Sequence, residues 1–411
     1  MRTGRLIEAV LPARMGLAFR WLIGSTWLSN LGDGITVAAG PLLIASQTQD
    51  PLLVALGALL QRLPWRLFGL YAGALADRTD RRAMVVISDL LRILVLVVLA
   101  AALLVDSGHV VITLVALLAL GVAEVFSDNA SQTLLPMVVA PEDLGIGAAR
   151  LMACFLTANQ LLGPAVGAFL FAAGAAVPFF AYAVLLAFAA AMIARMRVPG
   201  FERGEPDARI WRDVREGFSW VWQHPPVRTL TLTIVAFNVT YGAAWSVLVL
   251  YASQRLGLGA VGFGLLSTCV AVGGIAGTLG YDWLERRAPL SALMRAVLIL
   301  ETLTHLGLAL TTTAWVAMAI MVVFGAEAFV WGTLSSAVRM RAVPTELQGR
   351  AGSVYGVAMF GGILVGQAIG GIVASVAGVT APFWFAFAGS ALILVLIWRA
   401  LGDIAHVESA P

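Results

Sequence analysis

The chain has 411 residues, of which 60% are hydrophobic and only 12% charged, and its mean hydropathy is +0.91. A globular exterior needs more charge than this, so the composition excludes a soluble enzyme or binding domain and points to a protein integral to a membrane. The net charge is only +3 and all 26 basic residues are Arg, so the sequence pI near 9.2 needs no polyanionic partner, and nucleic acid is not expected.

Residues Met1–Arg20 carry Arg2, Arg5, Arg14, Arg20 and Glu8. The apolar run that follows contains Asn30 and Asp33 and lacks a small-residue cleavage site, so it reads as a first spanning helix rather than a removed signal peptide. A bilayer needs about 20 apolar residues per helix. Stretches of that length lie near 20–46, 52–76, 83–105, 109–139, 150–174, 177–198, 229–253, 260–283, 289–311, 314–340, 351–377 and 380–401. That predicts an all-α integral membrane protein with twelve transmembrane helices.

The arginines orient them. Arg62, Arg66 and Arg92 fall within spans and Arg255 lies on the far side; the other 22 of the 26 collect at one side, with both ends of the chain. That side is the cytoplasm, and the bilayer expected is the cell (inner) membrane.

The chain repeats itself. Gly163-Pro-Ala-Val-Gly167 in the fifth span returns as Gly366-Gln-Ala-Ile-Gly370 in the eleventh, and Pro141-Glu-Asp-Leu144 returns as Pro344-Thr-Glu-Leu347. Asn30 and Gly34 recur as Asn238 and Gly242. The loop from Gly73 to Arg82, with Asp77, Arg78, Asp80 and Arg81, has a damaged echo from Gly277 to Arg287. Four matches in order indicate a duplication into two pseudo-symmetric six-helix bundles, 1–198 and 229–411, related by an axis along the membrane normal. Between them, 199–228 is the only long polar stretch. Ile210, Trp211, Val214, Phe218, Val221 and Trp222 recur there at helical spacing and predict an amphipathic helix, lying on the inner leaflet or packed on the protein's own cytoplasmic face.

With these features in place, the chain resembles the major facilitator superfamily along essentially its whole length. Gly73, Asp77, Arg78, Arg81 and Arg82 stand where that family's loop 2–3 signature puts them, while Asp80 departs from the usual Gly. Gly163, Pro164 and Gly167 resemble the helix-packing motif of exporters and antiporters. Leu63-Pro64-Trp65, Asp89-Leu-Leu-Arg92 and Asp128-Asn-Ala-Ser-Gln132 look most like the drug and siderophore exporter branch, which includes macrolide, multidrug and catecholate siderophore (enterobactin-type) exporters. The resemblance implies that Asp128 joins Asp77 and Arg81 in a cytoplasmic charge cluster that gates the transporter, with Gly73, Arg78, Arg82, Asp89 and Arg92 around it. Many proton antiporters of the superfamily carry an arginine in the fourth span; this chain has none there.

Charges at the bilayer centre cost roughly 2.5–3.5 kcal/mol each and persist where they pair or line a wet cavity. Asp33 lies thirteen residues past Arg20, about 20 Å along a helix, between Gly32 and Gly34. It is the leading proton-coupling residue, the alternative being a structural pair with an arginine. Glu124, one turn from Asp128, and Glu301 and Glu327 are further proton-coupling candidates; Glu327 falls at the repeat position of Glu124, and His305 is one turn from Glu301. Arg62 and Arg66 share a face beside Pro64. They either neutralise Asp33 or Glu124 or bind an anionic part of a substrate. Asp89 and Arg92, three apart, are expected to pair with each other or with loop charges. Asn238, Tyr241, Trp245, Phe329 and Trp331 are candidate substrate-binding residues, since aromatic faces receive a bulky amphiphile or cation.

No enzyme site is legible. There is no Lys for a phosphate-binding loop, and His109, His224, His305 and His406 lack zinc spacing. Cys154 and Cys269 are too far apart in sequence to suggest a disulfide framework. No cofactor or metal is expected. The partners expected are the lipid bilayer, protons and a small-molecule substrate, and the protein is expected to act as a monomer. The reading that follows is a secondary exporter exchanging an amphiphile for protons. An uptake symporter on the same fold and a non-transporting membrane sensor or secretion accessory protein remain as alternatives.

Overall fold

A computed structural model describes residues 13–76, 78–105, 109–198, 210–344 and 347–401. Among them the long regular elements are helices: α1 (Gly16–Gln47), α2 (Pro51–Ala76), α3 (Arg81–Leu104), α4 (Val110–Val138), α5 (Leu144–Cys154), α6 (Gly163–Ala173), α7 (Val177–Arg195), α8 (Ile210–Gln223), α9 (Pro225–Trp245), α10 (Leu248–Gln254), α11 (Ala260–Glu285), α12 (Leu290–Leu310), α13 (Ala314–Ala342), α14 (Gln348–Ala377) and α15 (Ala381–Ile397). A π-helical stretch, Phe155–Leu162, joins α5 to α6. Pro164 follows it. Its ring crowds the carbonyl one turn back and it has no N–H to donate, which favours a widened turn at this place.

Nine helices among the described residues are long and apolar enough to cross a membrane, and ten if α9 and α10, bent by 41°, form one span. The apolar α15 has only 17 residues, and α2 carries Arg62 and Arg66 inside its 26 residues. With these two the succession is consistent with the twelve spans read from the sequence. Large aliphatic side chains point outward, Val376 at 84% exposure and Leu279 at 80%, as they do where hydrocarbon is the solvent.

The helices cluster into two compact units, one from 1–48 and 60–205, the other from 49–59 and 206–411. In the first, α1 packs on α7, on the π segment and on α6, while α3 packs on α4 and α7. Its arginine-rich end is tied together: Arg82 Nη1 donates to the Met196 carbonyl at 2.7 Å, and Arg14 pairs with Asp143 at 2.7 Å. Asp80, the departure from the usual Gly, caps α3 by accepting from the backbone N–H groups of Arg82 (2.9 Å) and Ala83 (3.2 Å).

In the second unit, α9 packs on α14 and α15, α11 on α13, and α12 on α13 and α15. Arg295 Nη2 donates to the Trp398 carbonyl at 2.9 Å. Helix α8 lies against α14 and α9. Val221 is buried with Val227, Val343, Ala351 and Val354, and Arg350 pairs with Glu216 at 2.6 Å. Phe218 and Trp222 stay exposed and stack at 5.8 Å. One face of α8 therefore packs on the protein and the next presents two aromatics outward; the side chains of Ile210, Trp211 and Val214 lie outside the described residues.

The repeat is visible as a repeated contact. A Cβ on Gly167 would strike the backbone of Ile35, and one on Gly370 would strike Ala243; Ile35 and Ala243 follow the repeat partners Gly34 and Gly242. Glycine lets the backbones of α1 and α6, and of α9 and α14, meet directly.

Candidate functional site

Two groups of ionisable side chains occupy the interiors, one in each unit. In the first unit α1 delivers Asp33, α3 delivers Asp89 and Arg92, and α7 delivers Tyr182. Arg92 is fully buried, Asp89 is 1% exposed and Asp33 is 9% exposed. Arg92 Nη2 donates to Asp33 and to the Tyr182 hydroxyl, and that hydroxyl donates to the same carboxylate. Arg92 Nη1 lies 3.3 Å from Asp89 and 3.4 Å from the Ser29 hydroxyl. The Ser127 hydroxyl donates to Asp89 at 2.8 Å. A guanidinium with donors on two sides fits between two carboxylates where a compact ammonium would not.

Glu124 and Asp128 on α4 are half-buried and within electrostatic reach of Arg92. The charge of the exposed Arg62 also bears on Glu124. Four carboxylates thus share the field of one buried arginine. A site of this kind cannot keep all four ionised cheaply in low dielectric.

This arrangement is the alternative reading of Asp33, a pair with an arginine. Asp33 is paired with an arginine, but that arginine is Arg92 rather than Arg62 or Arg66. Asp89 and Arg92 do pair with each other, and they do so inside the unit as part of the same network. Tyr182, Ser127 and Ser29 were not legible as site residues. Tyr182 is one of only six tyrosines and sits in an otherwise apolar helix, a signal weak enough to pass as packing.

The Gly73–Arg82 turn lies at the arginine-rich end. Arg78 is exposed, and Arg81 donates from Nε to the Ala76 carbonyl (3.3 Å) and from Nη1 to the Thr133 carbonyl (3.4 Å). These contacts fasten the turn to the last turns of α2 and α4. A Cβ on Gly73 would lie 3.8 Å from Asn129 Oδ1. Asp77 falls outside the described residues.

In the second unit α12 carries Glu301 and His305, and α13 carries Glu327, which are 8%, 0% and 3% exposed. His305 Nε2 stands 4.0 Å from Glu301. Both carboxyl oxygens of Glu327 and both ring nitrogens of His305 have no hydrogen-bond partner among the described residues. Tyr241 and Trp245 on α9 are half-buried, with ring centroids 4.7 Å apart. Phe324 stacks on Tyr241 at 5.8 Å, and Trp245 meets His305 edge-on at 6.0 Å. Asn238 is half-buried on the same face of α9, its amide donating to the Ile234 carbonyl at 2.7 Å.

Phe329 is half-buried on α13, where it lines a separate groove of about 720 Å³ with Tyr281, Glu285 and Met340. Trp331 is 7% exposed and belongs to the core with Leu298 and Leu334. Its side chain is packing, as large aromatics in helix bundles usually are.

The family model described as "Transmembrane secretion effector", a major facilitator family, matches residues 9–410. The chain belongs to the major facilitator superfamily. This transporter is 27% identical over 372 residues to the multidrug efflux pump Tap of Mycolicibacterium fortuitum, covering 86% of this chain and 88% of the pump. Among solved structures, it superposes on a bacterial homologue of the iron transporter ferroportin in an inward-facing state with a TM-score of 0.76, at 17% identity over 95% of this chain and 98% of the other. A bacterial homologue of the human lysosomal transporter Spinster gives a TM-score of 0.69 at 12% identity, covering 96% and 97%. At those identities the structures establish the fold alone. Family and fold are those of a transporter of small molecules, not of an enzyme.

Proposed function

We propose that this protein exports a small amphiphilic molecule, drug-like or siderophore-like, from the cytoplasm in exchange for protons. The observation that supports the coupling is the Asp33–Arg92–Asp89 network with Glu124 and Asp128 at its edge: more carboxylates than cations in one unit, two of them joined through Arg92, with the Tyr182 and Ser127 hydroxyls donating to Asp33 and Asp89. The likeness to Tap over most of both chains supports efflux. In this reading the halves 1–198 and 229–411 move as bodies joined through 199–228, in the cell membrane, with both termini cytoplasmic and the monomer as the working unit. The Gly73–Arg82 turn, with Asp77 and Asp128, gates the cytoplasmic side. Glycines 163 and 167, which let α6 slide on α1, permit the motion.

Energised inverted membrane vesicles loaded with a pH-sensitive dye test this. A panel of macrolides, tetracyclines, dyes and catechol siderophores is added, and collapse of the internal acid gradient is recorded. A compound that collapses the gradient with wild type and not with Asp33→Asn at matched expression is the expected result. A response equal in both removes Asp33 from the proton path. No response to any compound, with accumulation in intact cells instead, supports the symporter alternative.

A further inference from the structure

Helix α8 rests on the ends of spanning helices in the second unit. At Gly217 the backbones meet: a Cβ there would come within 2.8 Å of the Arg350 carbonyl oxygen. One turn on, Val221 is buried with Val227, Ala351 and Val354. Arg350 stands two residues past the start of α14, and Val227 two residues past the start of α9. Both contacts therefore fall on first turns, at the arginine-rich ends of the two helices. A helix that rests on two such first turns runs along the membrane plane. Its last turn is held at the same depth. Arg228 Nη1, from the first turn of α9, donates to the Trp222 carbonyl at 3.2 Å, and His224 Nδ1 donates to the Trp220 carbonyl at 2.7 Å.

A step of about 100° per residue sorts the side chains of α8 around that axis. Gly217 and Val221 point at the protein. Arg215, Ser219 and Gln223 share the far face and are exposed. Phe218 and Trp222 lie on one flank between these faces, each more than half exposed, with their rings stacked at 5.8 Å. Glu216, on the other flank, pairs with Arg350. With protein on one side and a polar face on the other, the aromatic flank is level with the headgroup layer. Trp is stable there because its ring can enter the apolar boundary while its N–H stays among polar groups. The sequence of α8 sets Arg212 and Arg215 against Asp213 and Glu216, so the helix has no net charge. Burial of the aromatic pair, and not attraction to anionic lipid, is the larger force available to it.

We propose that α8 is a membrane-interface helix whose partner is the lipid itself. Phe218 and Trp222 seat at the headgroup–acyl boundary of the leaflet on the arginine-rich side, beside the first turns of α9 and α14. The apolar faces of such helices enter that boundary by about 5–10 Å. The contact fastens the segment between the two halves to the bilayer where α9 enters it. It requires no particular substrate or coupling ion and stands apart from the export reading.

The test uses the full-length protein in lipid nanodiscs, with Cys154→Ala and Cys269→Ala as background. One nitroxide label is placed at a time through Phe218→Cys, Trp222→Cys, Ser219→Cys or Gln223→Cys, so each protein keeps at least one of the two aromatics. At 218 and 222 the label is expected to meet oxygen, which concentrates in hydrocarbon, several-fold more often than a water-soluble nickel chelate. At 219 and 223 the order should reverse. The pattern should be the same in neutral phosphatidylcholine and with phosphatidylglycerol added. Preference for nickel at all four positions would put the aromatic flank in water and overturn the proposal. Exclusion of both reagents at 218 and 222 would mean that a second copy or another protein covers the flank, and would overturn it too. A pattern that needs phosphatidylglycerol would show that charge holds the helix and would remove the aromatic anchor. If a cysteine variant fails to fold, p-benzoylphenylalanine in place of Phe218 keeps an aromatic there and decides the matter: light should attach it to lipid, whereas adducts to protein alone would sink the idea.

Discussion

The two interiors come from one duplicated scaffold and are wired oppositely. In the first unit the acids surround Arg92, with Tyr182 and two serines completing the hydrogen bonds. In the second, Glu327 and His305 are as deeply buried and have no hydrogen-bond partner among the described residues, His305 standing 4.0 Å from Glu301. Glu124 and Glu327 occupy equivalent repeat positions, yet the first is half-buried within reach of two arginines and the second is 3% exposed with none. Duplication thus preserved the backbone contacts that shape the helices, while the electrostatics of the interiors diverged. One interior is a closed ion-pair network. The other holds two acids and a histidine, with no arginine paired to them among the described residues.

Removing the cation should expose this difference most sharply. Arg92→Met strands Asp33 and Asp89 in the interior and should cost about 3–5 kcal/mol of stability, seen as loss of the monodisperse peak after heating in detergent. Adding Asp33→Asn to it should recover part of the loss. In the second unit the opposite is expected. Glu327→Gln removes one of two neighbouring buried acids, so its melting temperature should be no lower than wild type, measured in the same heating series.

The shared scaffold gives the next effect. Gly167→Val and Gly370→Val both drive a side chain into the facing backbone, and each should destabilise by about 1–3 kcal/mol. Equal losses would show that the two contacts are equivalent; a loss in one alone would break the symmetry argument. Tyr182→Phe removes a hydroxyl that bridges Arg92 and Asp33 and should cost about 1.5–3 kcal/mol, the range for hydrogen bonds to charged groups, with proton exchange in vesicles slowed more than substrate binding. The smallest change is Asp80→Ala. It deletes the cap of α3 at an exposed turn and should cost about 0.5–2 kcal/mol without altering transport at saturating substrate.

Much of this was legible in the chain. Spans of apolar residues must be helices in a bilayer because no water is there to satisfy the backbone, so composition fixed the class and the spacing of apolar runs gave the helices. The four repeated motifs marked the duplication, and the glycines among them marked backbone-to-backbone contacts that only glycine permits. Buried acids were conspicuous because each is expensive in hydrocarbon, which is why Asp33, Glu124, Glu301 and Glu327 could be named.

What each acid faces depended on how the helices pack. Arg92 meets Asp33 across 59 positions, and Tyr182 meets it across 149; no local period carries such a pairing, so Arg62 and Arg66 looked equally fit as partners. Trp331 and Trp245 are both tryptophans in apolar helices, and only the rotation of α13 and α9 sends one into the core and the other to a half-open face beside His305. The sequence by itself determined where helices form and which charges the membrane must tolerate, because hydration and hydrogen bonding act residue by residue. The tertiary structure alone decided which charges neutralise one another, because ion pairing acts through space.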